Sequence, residues 1–264
     1  MLKALAVVCV RNEAVHMRRC LRDLIGDGLD VFLIDNDSTD GSAEIASEFL
    51  GHGLLGIERI PWTGAFSLSD QLRAKRRIIA DADHDWIVHT DADEWLCSPV
   101  EGQSLLDGIR EADAAGYTCI NFHEIVFVPL PGDDFLADDY ASRMSTYYFF
   151  QPVYPRLNRA WKRTADIDSS RSSGHRLAGD GLRLYPQDFF LRHYIALSEG
   201  HARSKYVGRK FSDEDIAKGW HDNRRIITAE NLHVKQIPGL MRTPEPLRHR
   251  FDLSTPLKTH FWQW

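Results

Sequence analysis

The 264-residue sequence has few cysteines, few glycines and prolines, and no long apolar run. Its 18 glycines and 11 prolines are scattered, which excludes a fibrous chain and argues against a disordered one. None of the four cysteines forms a Cys-x-x-Cys pair, so the spacing of a structural zinc site is missing. A chain of this length does not need disulfides to fold, and we expect free, buried thiols in a reducing compartment.

An apolar stretch covers about the first ten residues, well short of the ~20 that a membrane-spanning helix needs. No small-residue cleavage site follows it, which argues against a signal peptide. We therefore expect a cytoplasmic protein. The aromatic run Phe261-Trp262-Gln263-Trp264 is the candidate for peripheral contact with the inner face of a membrane.

The net charge of −6 argues against nucleic acid as a partner. It averages two unlike halves. Residues 1–132 contain 11 basic and 22 acidic side chains, whereas residues 133–264 contain 21 basic and 16 acidic ones. The acidic half suits a site for a cation, and the basic half suits a surface that binds an anion.

Short apolar runs alternate with helical repeats through the first 130 residues. The runs predict strands near 5–10, 31–34, 57–60, 86–89 and 119–122. The repeats predict helices that begin after an Asn12 N-cap and near 42 and 104, and a capping box at Ser67-Leu68-Ser69-Asp70 predicts the start of another. This order is typical of an α/β fold with βαβ units and a parallel sheet covered by helices on both faces. Ligands of such sheets bind beyond the carboxyl ends of the strands.

The second half has a different pattern. Aromatic, β-prone stretches lie at 147–153, 182–185 and 189–194, a polar loop lies at 166–174, and helical patterns cover 198–210 and 213–228. We predict one domain over residues 1–264, because no linker or repeat divides it. Residues 1–130 would form its α/β half, and residues 131–264 a variable α+β half.

Asp91-Ala92-Asp93 follows a predicted buried strand. In extended backbone the two carboxylates point the same way, so they can bind a hard divalent cation that neutralises a diphosphate. An isolated Asp-x-Asp is also common in solvated turns.

A second acidic cluster, Asp35-Asn36-Asp37-Ser38-Thr39-Asp40-Gly41, follows the second predicted strand. An EF-hand fails here because Asp40 stands at the position that needs glycine. The spacing of Asp35, Asp37 and Thr39 matches a haloacid-dehalogenase-type phosphatase locally, but that motif belongs after the first strand. A plain strand-to-helix turn with a capping Asp40 or Ser42 is the remaining interpretation.

Together these motifs resemble the family 2 glycosyltransferases of the GT-A fold. Arg11-Asn12-Glu13 follows the first strand, the Asp35 cluster the second, and Asp91-Ala92-Asp93-Glu94 the fourth, over roughly residues 3–96. The segment Asp91–Trp95 with a downstream His193-Tyr194 is similar to the branch of lipopolysaccharide-core and family 92-like transferases.

The resemblance implies that residues 1–130 bind the nucleotide sugar and residues 131–264 the acceptor. It also implies roles for individual residues. The Arg11-Asn12-Glu13 loop would lie against the nucleotide. Asp35 would accept a hydrogen bond from the base with Asn36 and Asp37 beside it. A cation of the helix that carries Arg73 and Arg77 would face the donor. Asp91, with Ala92, would contact the ribose or the metal. Asp93 and His193 would complete a site for Mn²⁺ or Mg²⁺.

Downstream, Lys205 and Arg209 are spaced one helical turn apart. They can bind the diphosphate of a nucleotide sugar together, or they can form a solvated basic helix face.

Inverting transfer needs a base near the acceptor hydroxyl. Related core glucosyltransferases place a His-Glu pair where this chain reads Ser173-Gly174-His175-Arg176, so the acid is replaced by Arg176. Asp168, His175 and Asp180 are the candidate bases, and a retaining route stays open if none serves.

The sequence thus predicts a metal-dependent glycosyltransferase that moves a hexose-type sugar from a nucleotide diphosphate donor, UDP-sugar first, to a glycan or lipid-linked acceptor. The pathway implied by the resemblance is surface polysaccharide or glycolipid assembly. A sugar-phosphate nucleotidyltransferase would want a glycine-rich loop after the first strand, which is absent. A non-catalytic carbohydrate-binding protein would have no need of Asp91 and Asp93.

Overall fold

A computed structural model describes residues 1–137, 139–169 and 174–264. Ten strands form one mixed sheet: β1 (Ala4–Val10), β2 (Asp30–Asp35), β3 (Leu54–Arg59), β4 (Trp86–Asp91), β5 (Glu94–Cys97), β6 (Cys119–Phe127), β7 (Thr146–Phe150), β8 (Leu157–Lys162), β9 (Phe189–Tyr194) and β10 (Met241–Arg242). The helices are α1 (Ala14–Gly26), α2 (Ser42–Ser47), α3 (Leu68–Asp81), α4 (Leu105–Ala114), α5 (Tyr140–Arg143), α6 (Glu199–Tyr206), α7 (Asp213–Ala217) and α8 (Asp222–Arg225).

The N-terminal half is the predicted parallel sheet, in the order β3-β2-β1-β4. All seven residues of β1 are buried, as expected for a strand covered on both faces. Val10 pairs with Asp35, and Cys9 pairs with Asp91. This register brings the three loops that begin at Arg11, Asn36 and Asp91 to one edge of the sheet.

The C-terminal half adds antiparallel strands to β4, in the order β8-β6-β7-β10. Strand β9 pairs with β6 in parallel and with β5 in antiparallel. Glu94 of β5 lies opposite His193 of β9, and the Tyr194 N–H donates to the Asp93 carbonyl at 2.8 Å. The predicted α/β class is confirmed, with parallel pairing confined to β1–β4 and to the pair β6–β9.

Several local predictions need correction. Residues 182–185 form no strand, and only Leu184 makes a single bridge, to Cys119. Glu13, not Asn12, is the N-cap of α1. The predicted helix over 213–228 is two short helices, because Gly219 and His221 adopt left-handed backbone between them. Strands β5 and β8 are missing from the prediction.

The four cysteines are free and buried, as expected. The aromatic C-terminal run is packed inward. Phe261 and Trp262 are each 2% exposed and belong to a cluster with Tyr148 and Tyr206. These two side chains are therefore not available for membrane contact. Within the described ranges, no helix combines the length and the apolar character that crossing a bilayer requires.

Helix α3 is capped twice at its N-terminus. The Ser67 hydroxyl accepts from the Asp70 N–H, as the capping pattern predicts. Asp215, which is fully buried in α7, accepts from the Leu68 N–H at 2.7 Å and from the Ser69 N–H at 3.1 Å. A carboxylate at this position complements the positive end of the helix dipole. Asp215 therefore attaches the C-terminal half to the N-terminal half.

We expect the substitution Asp215→Asn to lower the free energy of unfolding by about 2 kcal/mol, because a buried charge-assisted cap loses its charge. Urea unfolding of the variant beside Asp213→Asn, an exposed acid of the same helix, measures the effect. Equal unfolding midpoints in the two variants would contradict this role of Asp215.

Candidate active site

The first two strand-end loops are joined by a hydrogen-bond network. The N–H groups of Asn12 and Glu13 donate to the hydroxyls of Ser38 and Ser42, at 3.0 and 2.9 Å. The Ala14 N–H donates to Asp40 at 2.9 Å, and the Asn12 side-chain oxygen accepts from the Thr39 N–H. Ser38, Asp40 and Ser42 therefore cap and connect loops, which accounts for most of the acidic cluster without a bound ion.

Arg11 covers the end of the second strand. Its guanidinium donates to the carbonyls of Asn36 and Asp37, and it stacks 3.8 Å above the Trp62 ring. Asp35 is 1% exposed and accepts from the Ser38 N–H, with the Arg59 guanidinium 3.6 Å away. Asp37 and Asn12 both have positive φ angles, at 60° and 55°. Strained backbone of this kind is concentrated at functional loops.

A buried ion pair shapes the turn at Asp91. Glu94 bonds to Arg159 at 2.5 Å, and its other oxygen accepts from the Asp91 N–H at 3.0 Å. Burial raises the pKa of Glu94 to about 7 against the opposing charge of Arg159. Asp91 itself is 46% exposed, with the Arg159 guanidinium 3.9 Å away. The turn is thus held from inside, and the Asp91 carboxylate is left open to the cavity.

Asp93 lies at the centre of a network of charged side chains. Its Oδ2 atom lies 2.8 Å from Lys205 Nζ and 3.3 Å from His193 Nε2. Lys205 Nζ also lies 2.8 Å from Glu13, and His193 Nδ1 lies 2.7 Å from Glu124. Five elements of the fold meet in these contacts: the loop before α1, the turn after β4, strands β6 and β9, and helix α6.

The protonation states of the side chains in this network depend on one another. Burial raises the pKa of Glu13 to about 7, although Lys205 acts against it. Burial also disfavours ionised Asp93, but Lys205 and His193 outweigh that effect and hold its pKa well below the usual value. Burial disfavours the His193 imidazolium, yet Asp93 and Glu124 raise its pKa well above 6.5. The two carboxylates therefore favour the protonated form of His193, and its Nε2 atom must lose that proton before it can bind a metal ion.

Two cavities meet at this network of charged side chains. The first, of about 430 Å³, is lined by Asp91, Ala92, Asp93, His175 and His193 among others. The second, of about 500 Å³, lies between Asn12, Trp62 and residues 207–210. Four residues line both cavities: Arg11, Glu13, Lys205 and Arg209. Lys205 and Arg209 thus lie at the junction, although α6 ends at Tyr206 and Arg209 follows it in a loop.

Other predicted residues lie away from the cavities. Arg73 is exposed and bonds to Asp70 and Glu214, and Arg77 bonds to Glu58. Asp168 pairs its backbone with Ala178, and its carboxylate lies 3.7 Å from Arg76. These side chains and those of Asp35, Asn36, Asp37 and Asp180 line neither cavity. Of the three candidate bases only His175 does. Ser173 lies outside the described residues.

Three charged residues of the cavity were not predicted from the sequence, and two of them, Glu124 and Arg159, are buried. Glu124, Arg156 and Arg159 line the first cavity, and Glu124 bonds to both Arg156 and His193. The available signal was weak: Glu124 is a lone acid inside the apolar strand β6, and Arg159 interrupts β8. A charged residue within a buried strand needs a partner, and that partner was far away in sequence.

The donor atoms suit a divalent ion in type. Two carboxylates and an imidazole are typical Mn²⁺ ligands, and Glu124 on Nδ1 of His193 is the usual support for a metal-binding histidine. Among residues 1–137, 139–169 and 174–264, no three His, Cys, Asp or Glu side chains converge as a ligand set. Lys205 bonds to Asp93 instead. An ion held by Asp93 would therefore compete with Lys205 for Oδ2.

Comparison with solved structures gives distant likenesses. S. aureus TarS is 10% identical with a TM-score of 0.45, over 74% of this chain and 37% of that one. S. aureus TarS 1-349 in complex with UDP is 9% identical (TM-score 0.44; 89% and 76%). Glucosyl-3-phosphoglycerate synthase from Mycobacterium tuberculosis with Mn²⁺, UDP-glucose and phosphoglyceric acid is 13% identical (TM-score 0.37; 64% and 60%). The chain thus spans little more than a third of the full TarS structure.

None of the curated proteins matches the chain. The sequence model of "Glycosyl transferase family 2" matches residues 5–125, a little under half of the chain. The matched segment begins in β1 and ends in β6, so it contains the interlocked loops and the Asp91–Asp93 turn. The N-terminal half of this chain is therefore similar to the family 2 glycosyltransferases.

Proposed function

We propose that this chain is a metal-dependent, inverting glycosyltransferase. It transfers a hexose-type sugar from a UDP-sugar to a glycan or lipid-linked acceptor of surface polysaccharide or glycolipid assembly. The observation that supports this most directly is the junction of two cavities at Asp93, Lys205 and Arg209. A nucleotide sugar has a diphosphate between two uncharged ends, and the junction offers cations between two chambers.

In this proposal the nucleoside occupies the second cavity, where the Arg11–Trp62 stack and Asn12 line the wall. Lys205 and Arg209 bind the diphosphate. The sugar and the acceptor share the first cavity. Asp35 and Arg59 then act indirectly, because they fix the loop to which Arg11 donates its hydrogen bonds.

Asp91, Asp93 and His193 would hold the divalent ion. When bound, the ion supplies positive charge that stabilises the departing diphosphate. Glu124 keeps the Nδ1 atom of His193 engaged at 2.7 Å, so the Nε2 atom stays directed at Asp93.

His175 is the base we favour. It lines the first cavity, and its Nδ1 atom is buried without a hydrogen-bond partner among the described atoms. Burial, with Arg159, lowers the pKa of His175 well below its usual value, so the imidazole is neutral and can accept a proton. The acceptor oxygen bonds to the anomeric carbon, the bond from that carbon to the diphosphate oxygen breaks, and the hydroxyl proton passes to His175.

Thermal unfolding with a panel of nucleotides tests the proposal. At a hundredfold excess over its dissociation constant, a ligand stabilises the folded state by about 2.7 kcal/mol, a shift of several degrees in Tm. We expect UDP with Mn²⁺ to give this shift, and UDP alone or Mn²⁺ alone to give much less. The proposal fails if no nucleotide shifts Tm with or without the ion.

A further inference from the structure

The first cavity has a wall that the proposed donor site does not use. Arg156, Arg224 and Lys258 line it, and we call these three residues the basic wall. They come from three segments: the loop after β7, helix α8 and the C-terminal tail.

Backbone contacts bring these segments together. Leu257 exchanges hydrogen bonds with Phe149 and Gln151, which sets Lys258 beside the end of β7. The Trp262 indole N–H donates to the Asn223 carbonyl at 2.8 Å, which attaches the tail to α8 one residue before Arg224. The Arg156 guanidinium lies 4.5 Å above the Phe150 ring. The cations of the basic wall are thus held by a packed scaffold.

These cations have few partners. Arg156 bonds to Glu124, but no Asp or Glu of the described ranges lies within ion-pair distance of Arg224, Lys258 or Arg209. Arg209 and Arg224 both lie 5.9 Å from the Tyr206 ring centroid. Burial, and next the charge of Arg224, lower the pKa of Arg209. Arg209, Arg224 and the exposed Lys258 thus face the cavity without ion-pair partners of their own in the described part of the chain, and together they can bind an anion.

The charge of the whole cavity supports the same conclusion. Its lining contains seven Lys and Arg side chains and five Asp and Glu side chains, a surplus of two positive charges. A divalent ion and the diphosphate of a nucleotide sugar carry about two charges each, of opposite sign, and leave this surplus unchanged. The acids lie on the Asp91–Glu94 side or in pairs with Lys205, Arg156 and His193.

We propose that the basic wall binds a phosphate group of the acceptor, so that the acceptor is a phosphate-bearing molecule and not a neutral glycan. The identification of the phosphate-bearing molecule as the acceptor rests on the proposed function. The phosphate site itself does not. A tetrahedral phosphate can accept hydrogen bonds from the two guanidinium groups and the ammonium group together.

Calorimetric titration with glycerol 3-phosphate tests the basic wall, with glycerol as the uncharged counterpart. The titration uses the full chain saturated with UDP and Mg²⁺, and a second series uses the free protein. We expect glycerol 3-phosphate to bind in both series and glycerol in neither. Arg224→Gln and Lys258→Gln should each weaken binding of glycerol 3-phosphate about tenfold.

The matched control is Arg225→Gln, which removes the same charge from an exposed neighbour in α8. This variant should bind glycerol 3-phosphate like the wild type, and all three variants should bind UDP with unchanged affinity. Competition between glycerol 3-phosphate and UDP, or wild-type affinity in both wall variants, overturns the proposal. Binding of glycerol 3-phosphate to a protein that does not bind UDP would support the wall and contradict the donor site.

Discussion

Replacing Asp93 with asparagine is expected to lower the rate of sugar transfer by at least about 1,000-fold, or roughly 4 kcal/mol of transition-state stabilisation. Asparagine keeps the shape of the side chain and removes its charge. The charge is needed twice, because Oδ2 of Asp93 bonds to Lys205 and to His193 and is also the proposed ligand of the ion. Without it, the diphosphate faces a site in which the ion is no longer held.

The same variant should lose the Mn²⁺-dependent response to UDP in thermal unfolding, a readout that does not require turnover. Its control is Asp83→Asn, which removes an acid whose side chain is 79% exposed. The control should retain both the transfer rate and the response to UDP with Mn²⁺. If Asp93→Asn keeps the Mn²⁺-dependent response, the ion is bound elsewhere and the assignment of Asp93 is wrong.

Lys205 also affects how the donor and the ion bind to this site. In the structure its ammonium group forms ion pairs with both Glu13 and Asp93. A diphosphate would offer Lys205 a new partner at the same time as an ion offers Asp93 one. The donor and the ion should therefore bind more tightly together than separately, which is the behaviour that the UDP and Mn²⁺ titrations measure.

Periodicity was sufficient for the parallel half of the fold. Strand β1 is apolar at every position, and α1 and α3 show their buried faces at helical spacing. These signals are local, and so are the caps: Ser67 of α3 was predicted because its partner N–H is three residues away. The edge at which the strand-end loops meet also followed from the βαβ order.

Strands β5 and β8 could not be predicted in this way. Each contains a charged residue that is buried, Glu94 in β5 and Arg159 in β8. Strand β5 is only four residues long, and half of the residues of β8 are polar. The two residues neutralise each other across 65 positions of sequence. A hydropathy pattern cannot detect a charge whose compensation is that distant.

The residues of the candidate site also divide into those that local sequence signals predicted and those that depend on distant contacts. Asp91 and Asp93 were found from their spacing, and His193 from the family resemblance. Glu124, which orients His193, was not found, because its role depends on the pairing of β6 with β9. The basic wall was also missed, since its three segments meet only through tail packing. Residues that act through a non-local contact need the structure.

The buried pair of Arg159 and Glu94 carries the other large expected effect. Substituting Arg159→Met should lower the free energy of unfolding by about 3–5 kcal/mol, since Glu94 is left buried without its partner and must either stay charged or take up a proton at neutral pH. Arg159 is 2% exposed and Glu94 is 5% exposed, so water cannot replace the lost contact. Urea unfolding at neutral pH measures the loss.

A double-mutant cycle separates the charge effect from lost packing. Glu94→Gln combined with Arg159→Met removes both charges, and this double variant should be more stable than Arg159→Met alone. A matched surface control is Arg18→Met, which breaks an exposed pair with Glu48 of similar length and should leave the unfolding midpoint nearly unchanged. A double variant as unstable as Arg159→Met would mean that packing, and not charge, dominates.

The cycle also tests how the turn at Asp91 is held. Glu94 accepts from the Asp91 N–H and the Thr90 hydroxyl through the oxygen that does not face Arg159. A glutamine can keep one of these bonds if its carbonyl oxygen takes that position, so the double variant should fold with the turn intact. It should then bind UDP with Mn²⁺ although it lacks the ion pair. Loss of that binding in a stably folded double variant would show that Arg159 acts on the donor site directly, through its 3.9 Å approach to Asp91.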